Sequence, residues 1–486
     1  MSAALTAVAL SVGLHAPGAT GPDSIALTAS EPGGIERAAF PLTVGVPFAP
    51  GALTANRPVA VRDEQGHLRP VQTRILERHD EGSVRWLLVD YQADFSPLEK
   101  SRYALVLGQQ APAPLPGKRI DSVERGDLLV IDNGVLKLEV DRKHCVPLLR
   151  VWREGKLVSE GGLDFRIRSQ DGASFSARND AAARFEVEES GPLRLLMSWK
   201  GKHTSTDGSG HFDFLVRLTV YAGAPFVQVE HVFFNRLDPE VTPVKEIVAQ
   251  FPLSIGSDLT YTAGRRYRPG PGLPSVAYTA REALRLEMHS LSHYRVVGEA
   301  DGRKLAEEED VSMGWMDASG PSGGVLLTGK NFWQNYPKAL SANARQLTCH
   351  LIPDRGEPFA VERGLAKSHT FFLTFHDPKA DGRSLIDLAF AVARWPMPTA
   401  PSAYYAESGG FWDFFPYYPA RYPRLEAALK SLFTPDSQHF PVVPKRGRAY
   451  GLKNYGDFAS FSGDGPYDPD SPRAYYWNNE YDVPHV

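Results

Sequence analysis

Between Phe40 and Asp377 the chain repeats one pattern: short β-branched and aromatic runs, several alternating apolar with polar residues, separated by turn residues and without helical periodicity. Alternation of period two puts one face of a strand on a core and the other in water, the habit of antiparallel sheets. Leu42-Thr43-Val44-Gly45-Val46 and Val84-Arg85-Trp86-Leu87-Leu88-Val89-Asp90-Tyr91 are such runs. So are 128–131, 136–140, 214–221, 227–234 and 370–375. Ala222-Gly223-Ala224-Pro225 reads as a hairpin turn between two of them. The 39 prolines and 43 glycines suit a chain of many strands and turns.

Ala111-Pro112-Ala113-Pro114-Leu115-Pro116-Gly117 cannot lie inside a sheet and reads as a linker. It separates a small β-barrel or sandwich, residues 36–117, from a large β-sandwich, residues 118–380. After Asp377 the pattern changes. Residues 384–394 have helical spacing and stop before Pro396. Residues 422–433 form a second amphipathic pattern with Leu425, Ala428, Leu429 and Leu432 on one side. Between them lies an aromatic loop, Tyr404-Tyr405 through Phe411-Trp412-Asp413-Phe414-Phe415-Pro416-Tyr417-Tyr418. Residues 381–486 therefore read as the start of a helical third domain, and the whole as a mainly β fold followed by helices.

With 53 Lys and Arg against 57 Asp and Glu there is no basic field to recruit nucleic acid. Cys145 and Cys349 match neither a zinc ribbon nor a redox pair and read as buried small apolar residues rather than a disulfide. An apolar run, Ala3 to Leu14, followed by Ala16-Pro17-Gly18-Ala19 resembles a secretion signal, although no Lys or Arg precedes Arg37. It reads as a clipped signal or a leader within residues 1–35, and the expected location is secreted or periplasmic. No stretch suggests a membrane span, and no cofactor or metal is expected.

The order of modules resembles the exo-acting rhamnogalacturonan lyase family. The strings that carry the resemblance are residues 40–51 and Gly82-Ser83-Val84-Arg85-Trp86, then 221–235, 331–338 and 364–375, then Asn454-Tyr455-Gly456-Asp457 and 477–485. The resemblance implies a small N-terminal β-barrel, a central β-sandwich and an α/α toroid, of which two helices would be only the opening. It also implies β-elimination on a polysaccharide or oligosaccharide containing uronic acid. That chemistry needs cations to neutralise the carboxylate, a base for the C5 proton and an acid for the leaving oxygen.

The C-terminal segment is rich in groups of those kinds. Arg446, Arg448 and Lys453 are candidates for the carboxylate, beside Lys445, because guanidinium binds carboxylate in bidentate fashion. Tyr455, Tyr481 and His485 are candidates for base and acid. Asn454, Trp477, Asn479 and Trp412 are candidates for sugar contacts. Each has a plainer reading: 445–448 as a solvated turn, and Asp482, two before Pro484, as a helix N-cap. His485 would then sit in a first turn, which favours the neutral ring. His231 and His369 read as structural histidines in strands, and Trp86, Trp333 and Trp395 as packing residues.

Two other functions stay open. A glycoside hydrolase on the same scaffold would use Asp457, Glu480 or Asp482 as its acid and base, and would release reducing ends without an unsaturated product. A non-catalytic sugar-binding protein would bind without turnover. Nucleotide enzymes and serine hydrolases are not expected.

Overall fold

The computed structural model describes residues 23–433, apart from 116, 266–276, 291, 379 and 412–415, together with 452. Strands occupy the chain from Ser24 to His376, and every strand pairing among the described residues is antiparallel. The expected mainly β fold is what the residues adopt.

The first unit is barrel-like. Ser24–Ser30, Lys100–Leu107, Val59–Asp63 and Leu68–Arg69 form one sheet, and Arg37–Pro47, Val84–Phe95 and Val71–Arg78 form the other. The alternation read in Leu42–Val46 is real: Leu42, Val44 and Val46 point inward with Val89 and Tyr91 of the neighbouring strand. Residues 111–115 carry no regular structure, as expected of a linker.

The second unit places a five-stranded sheet, Asp121–Arg125 to Lys156–Glu160, against a continuous, nearly closed sheet of eighteen strands from Asp164–Ser169 to Ala366–His376. Its core includes Leu138 and Val151 from the smaller sheet, and Met197, Trp199, Val216 and Val229 from the larger. Trp199 is fully buried and still satisfies its ring N–H, which donates to the Asp141 carbonyl at 3.0 Å. Gly210–Tyr221 and Phe226–Phe234 pair directly, so 222–225 is the turn expected. Both cysteines are buried and free.

Among the described residues three helices follow: α1 (Gly382–Ala393), α2 (Ser402–Glu407) and α3 (Pro423–Phe433). The spacing of 384–394 gives α1, capped by Asp381, whose carboxylate accepts the Ser384 N–H at 2.8 Å. α2 corrects the start of the expected aromatic loop: Tyr404 and Tyr405 are helical, although six residues within an aromatic stretch show no apolar period.

The two β units are joined by more than the linker. The barrel core continues onto Tyr221, Phe226 and Phe372 of the sandwich and Val392 of α1. Trp395 sits among the rings of Phe40, Tyr221, Phe226 and Phe372, at 4.7–5.9 Å between centroids. Core packing is therefore the role of this tryptophan. Beside it, Arg37 and Glu31 form a buried ion pair at 2.9 Å, and Arg37 also donates to the carbonyls of Ala391 at 2.6 Å and Arg394 at 2.5 Å. A cation at the last carbonyls of α1 satisfies groups that a helix end leaves open.

Polar groups hold the same boundary further along. The Gln72 amide accepts the Leu193 and Arg194 N–H groups at 2.9 and 2.8 Å and donates to Glu189 at 2.9 Å, while Arg194 bridges Glu189 at 2.7 Å and Asp90 at 2.9 Å. Gly191 is required there, since a Cβ would overlap the Gln72 amide.

Candidate functional site

The ten residues that the sequence singles out for lyase catalysis and binding lie outside the described residues: Trp412, Arg446, Arg448, Lys453, Asn454, Tyr455, Trp477, Asn479, Tyr481 and His485, as do Lys445 and the hydrolase candidates Asp457, Glu480 and Asp482. The structure does show where two neighbours of these residues, Phe411 beside Trp412 and Leu452 beside Lys453, meet the two β units.

The first meeting place is on the barrel. Trp86 lies over Gly45 of the neighbouring strand and packs edge-on against Phe411, at 5.6 Å between centroids; Phe411 in turn packs on Tyr405 at 5.4 Å. Gly410 allows this approach, because a Cβ there would come within 2.5 Å of Pro47. Tyr404 fixes the helix beside it by donating its hydroxyl to the Pro47 carbonyl at 2.5 Å, and its burial pushes the phenol upward. Phe411, Tyr417 and Tyr418 are 43, 57 and 53% exposed, so these members of the aromatic loop are surface groups and not core. An exposed ring beside a half-buried tryptophan is a surface on which a sugar ring can stack.

The second meeting place is the 331–338 string. Asn331 takes a left-handed conformation (φ 52°), which asparagine tolerates, and its carbonyl accepts the Asn335 side-chain N–H at 3.0 Å. Phe332 is buried against Gly314, where any Cβ would overlap its ring. Trp333 packs against the sandwich core, in keeping with the packing role read for it. Leu452 is buried in that core and donates its N–H to the Tyr336 carbonyl at 2.7 Å. Leu452, next to Lys453, is therefore fastened to the sandwich.

Beneath this loop runs a buried polar chain. Lys338 Nζ donates to His369 Nδ1 at 2.7 Å, and His231 and His203 meet through their Nε2 atoms at 3.2 Å. His203 Nδ1 bonds the Phe212 carbonyl at 2.8 Å, and a carbonyl can only accept; the Nδ1 of His203 therefore carries the proton, and its Nε2 accepts from His231. That leaves His231 Nδ1 a bare acceptor and His369 Nε2 a bare donor, both without a hydrogen-bond partner among the described residues. His231 and His369 are strand histidines as expected, but each is satisfied on one side only.

Burial dominates their titration. It pulls His203 down to about 4 and His231 and His369 well below the ordinary imidazole range, with the neighbouring cation Lys338 adding to both of the latter. It lowers Lys338 to about 8 and raises the Cys349 thiol to about 11. These groups are all buried in the sandwich.

Two strings fit catalytic spacings that the sequence analysis leaves out, and the structure assigns both to hairpins. Gly320-Pro321-Ser322-Gly323-Gly324 fits Gly-x-Ser-x-Gly but forms the turn between Trp315–Gly320 and Gly323–Gly329, not a strand-to-helix elbow. His289 and His293 fit His-x-x-x-His but lie on the paired strands Leu284–Ser290 and His293–Gly298, where each sits beside a glutamate: Glu287 at 3.4 Å and Glu307 at 2.9 Å. Among the described residues no group of three or more His, Cys, Asp or Glu side chains is placed to hold a metal ion, and no helix is long and apolar enough to cross a membrane.

Comparison with known proteins matches residues 33–101 to the PcRGLX-like N-terminal RIFT barrel domain and residues 121–262 to the PcRGLX-like protein central beta sandwich domain. A curated relative, the uncharacterized protein YetA of Bacillus subtilis (strain 168), is 22% identical over 498 residues. The match covers 86% of this chain but only 57% of YetA. Among solved structures, a protein in the glycosyl hydrolase family 38 from Enterococcus faecalis is 12% identical with a TM-score of 0.46, covering 78% of this chain and 47% of that one. A galactose mutarotase-like protein from Lactobacillus casei is 9% identical with a TM-score of 0.30, covering 53% of this chain and all of that one. With barrel and sandwich both matched, in order and in place, the chain carries the two β domains of the PcRGLX-like proteins and so resembles the rhamnogalacturonan lyase-like family.

Proposed function

We propose that this protein is a polysaccharide lyase that cleaves a rhamnogalacturonan-type polymer by β-elimination next to a uronic acid. The observation that carries this reading is the pairing, in one chain and in order, of the RIFT barrel and the central sandwich of the PcRGLX-like proteins. It is supported by the way strings of the third segment are held on these domains, Phe411 against Trp86 and Leu452 on Tyr336. In this reading Arg446, Arg448 and Lys453 neutralise the substrate carboxylate. The C5 proton passes to a base and the leaving oxygen receives a proton from an acid, both drawn from Tyr455, Tyr481 and His485. The breaking C–O bond leaves a carbon–carbon double bond, and no water is added.

Digestion of rhamnogalacturonan followed by absorbance of the unsaturated uronate tests the reaction. A rise in absorbance supports elimination, whereas new reducing ends without that rise would select a hydrolase. The roles are tested by substitution. His485→Ala and Tyr481→Phe are each expected to lower turnover roughly 10²–10⁴-fold, the usual contribution of a general acid or base. Arg448→Ala is expected chiefly to raise KM. Steady-state kinetics beside thermal melts check both, and near-normal turnover in the His485 and Tyr481 variants would move the chemistry to other residues.

A further inference from the structure

The larger sheet has an open outer face at the end away from the barrel, and a groove of about 1150 Å³ crosses it. Strand geometry builds it. Arg184 stands opposite Lys200 on the adjacent strand, Lys202 opposite Asp213 on the next, and Asp213 opposite Phe234 on the one after. Lys200 and Lys202 are two residues apart on one strand and therefore share its outer face. Arg236 closes the row with its guanidinium over the Phe234 ring, 5.7 Å from the centroid. The side wall is held by Asp180, which accepts the Lys202 N–H at 2.8 Å, and by Asn179, whose amide donates to the Thr204 carbonyl at 3.0 Å. Gly201 permits that approach, since a Cβ there would fall on the Asp180 carboxylate and within 2.9 Å of Phe214.

The charge of this groove differs from that of the chain. The whole protein carries a formal charge of −4, yet four cations line the groove against two carboxylates, Asp180 and Asp213. Asp213 lies 3.8 Å from Lys202 and 3.5 Å from Arg236, and Lys200 lies 3.3 Å from Glu186. Arg184 has no acidic partner among the described residues. Like charges facing each other across two strands, as Arg184 and Lys200 do, destabilise an empty sheet. A bound anion removes that cost.

We infer that this groove is a binding site for an acidic oligosaccharide, with Arg184 and Lys200 taking a uronate carboxylate and Asp213 accepting sugar hydroxyls. The mixture of groups favours a sugar over a nucleic acid. A phosphate backbone asks only for donors, whereas a polyhydroxylated acid needs cations for its carboxylates and acceptors for its hydroxyls. The half-buried Phe234 adds an apolar patch that suits the face of a pyranose ring. The choice of uronate rests on the proposed function, but the groove shares no residue with those given catalytic roles there.

The test is direct binding by the whole protein, measured by calorimetry with a galacturonate oligomer, a neutral galactose oligomer of equal length and single-stranded DNA. The site predicts binding of the galacturonate oligomer that weakens as salt rises, and none of the neutral one. The double variant Arg184→Ala/Lys200→Ala should bind at least about tenfold more weakly, because charge-assisted contacts at the surface are lost. Its melting temperature should not fall, and Lys118→Ala, just after the linker, should bind normally. Unchanged affinity in the double variant, equal binding of the neutral oligomer, or tighter binding of DNA would each overturn the inference. Turnover is read separately: uronate binding lost in the double variant but no elimination by the parent would leave this site standing and remove the lyase reading.

Discussion

His203, His211, His231, His350 and His369 are all buried, and burial pulls each below the ordinary imidazole range, to about 4 for His203 and His211. The folded protein therefore holds them neutral while the unfolded chain protonates them near pH 6.5, so their stability is present above that value and lost as pH falls toward 4. Each contributes a slope of roughly 1.4 kcal/mol per pH unit in that window. His376 opposes them: burial works against its charge, but its bond to Asp317 at 2.7 Å outweighs this and raises it. Denaturant unfolding should show stability falling steadily from pH 7 to pH 5, and a flat profile would contradict the burial of these rings as neutral groups. Lys338 extends the argument to alkaline pH. Its lowered folded value, about 8, means that stability declines as pH falls from the ordinary lysine range to about 8. Lys338→Met should abolish that part of the profile while costing about 1–3 kcal/mol for the orphaned His369 Nδ1. A variant whose alkaline profile matches the parent would place the lysine in contact with water. The sequence makes the strand positions of His231 and His369 readable through alternation; it cannot show that Lys338, over thirty residues before His369, supplies its partner.

The elements most legible in the sequence are those whose pattern is local. Alternation gives Arg37–Pro47, Val84–Phe95 and Phe226–Phe234, and a 3.6 period ended by proline gives α1. α2 escapes because its tyrosines are chosen for the barrel surface they touch, Tyr404 on Pro47, and not for a helical stripe. The docking of α1 escapes for a similar reason: Arg37 and Glu31 look like surface charges until the fold closes around them. Their ion pair predicts an asymmetric mutational response. Arg37→Ala leaves the Glu31 carboxylate buried without its cation and should cost roughly 3–5 kcal/mol, while Glu31→Gln with Arg37→Met should cost markedly less. Urea unfolding of the three proteins decides it, and equal losses in the single and double variants would mean that the pair is not the clamp on α1. Without the Arg37 donors to the Ala391 and Arg394 carbonyls that helix end should loosen in both variants, so the Arg394 N–H, bonded to the Phe390 carbonyl at 2.9 Å, should exchange faster in amide exchange.

At the scale of the molecule, the barrel and sandwich act as one block because Trp395, Phe226 and Phe372 make their cores continuous and Gln72 with Arg194 seals the polar edge. A rigid block of this kind can present two kinds of surface, the aromatic shelf of Trp86 and Phe411 and the cationic groove around Lys200. The candidates for chemistry at the C-terminal end are readable from residue type alone, since a carboxylate needs cations and a proton transfer needs an acid and a base. Their arrangement is not, because nothing local in 445–485 fixes which groups face one another. The account's central claim is elimination next to a uronic acid, and mass spectrometry of the products from a digest in ¹⁸O-water tests it most directly. Elimination predicts a new non-reducing end lighter by one water than a hydrolytic product, with no ¹⁸O gained at cleavage; a fragment of full hydrolytic mass carrying ¹⁸O at its new reducing end would contradict it.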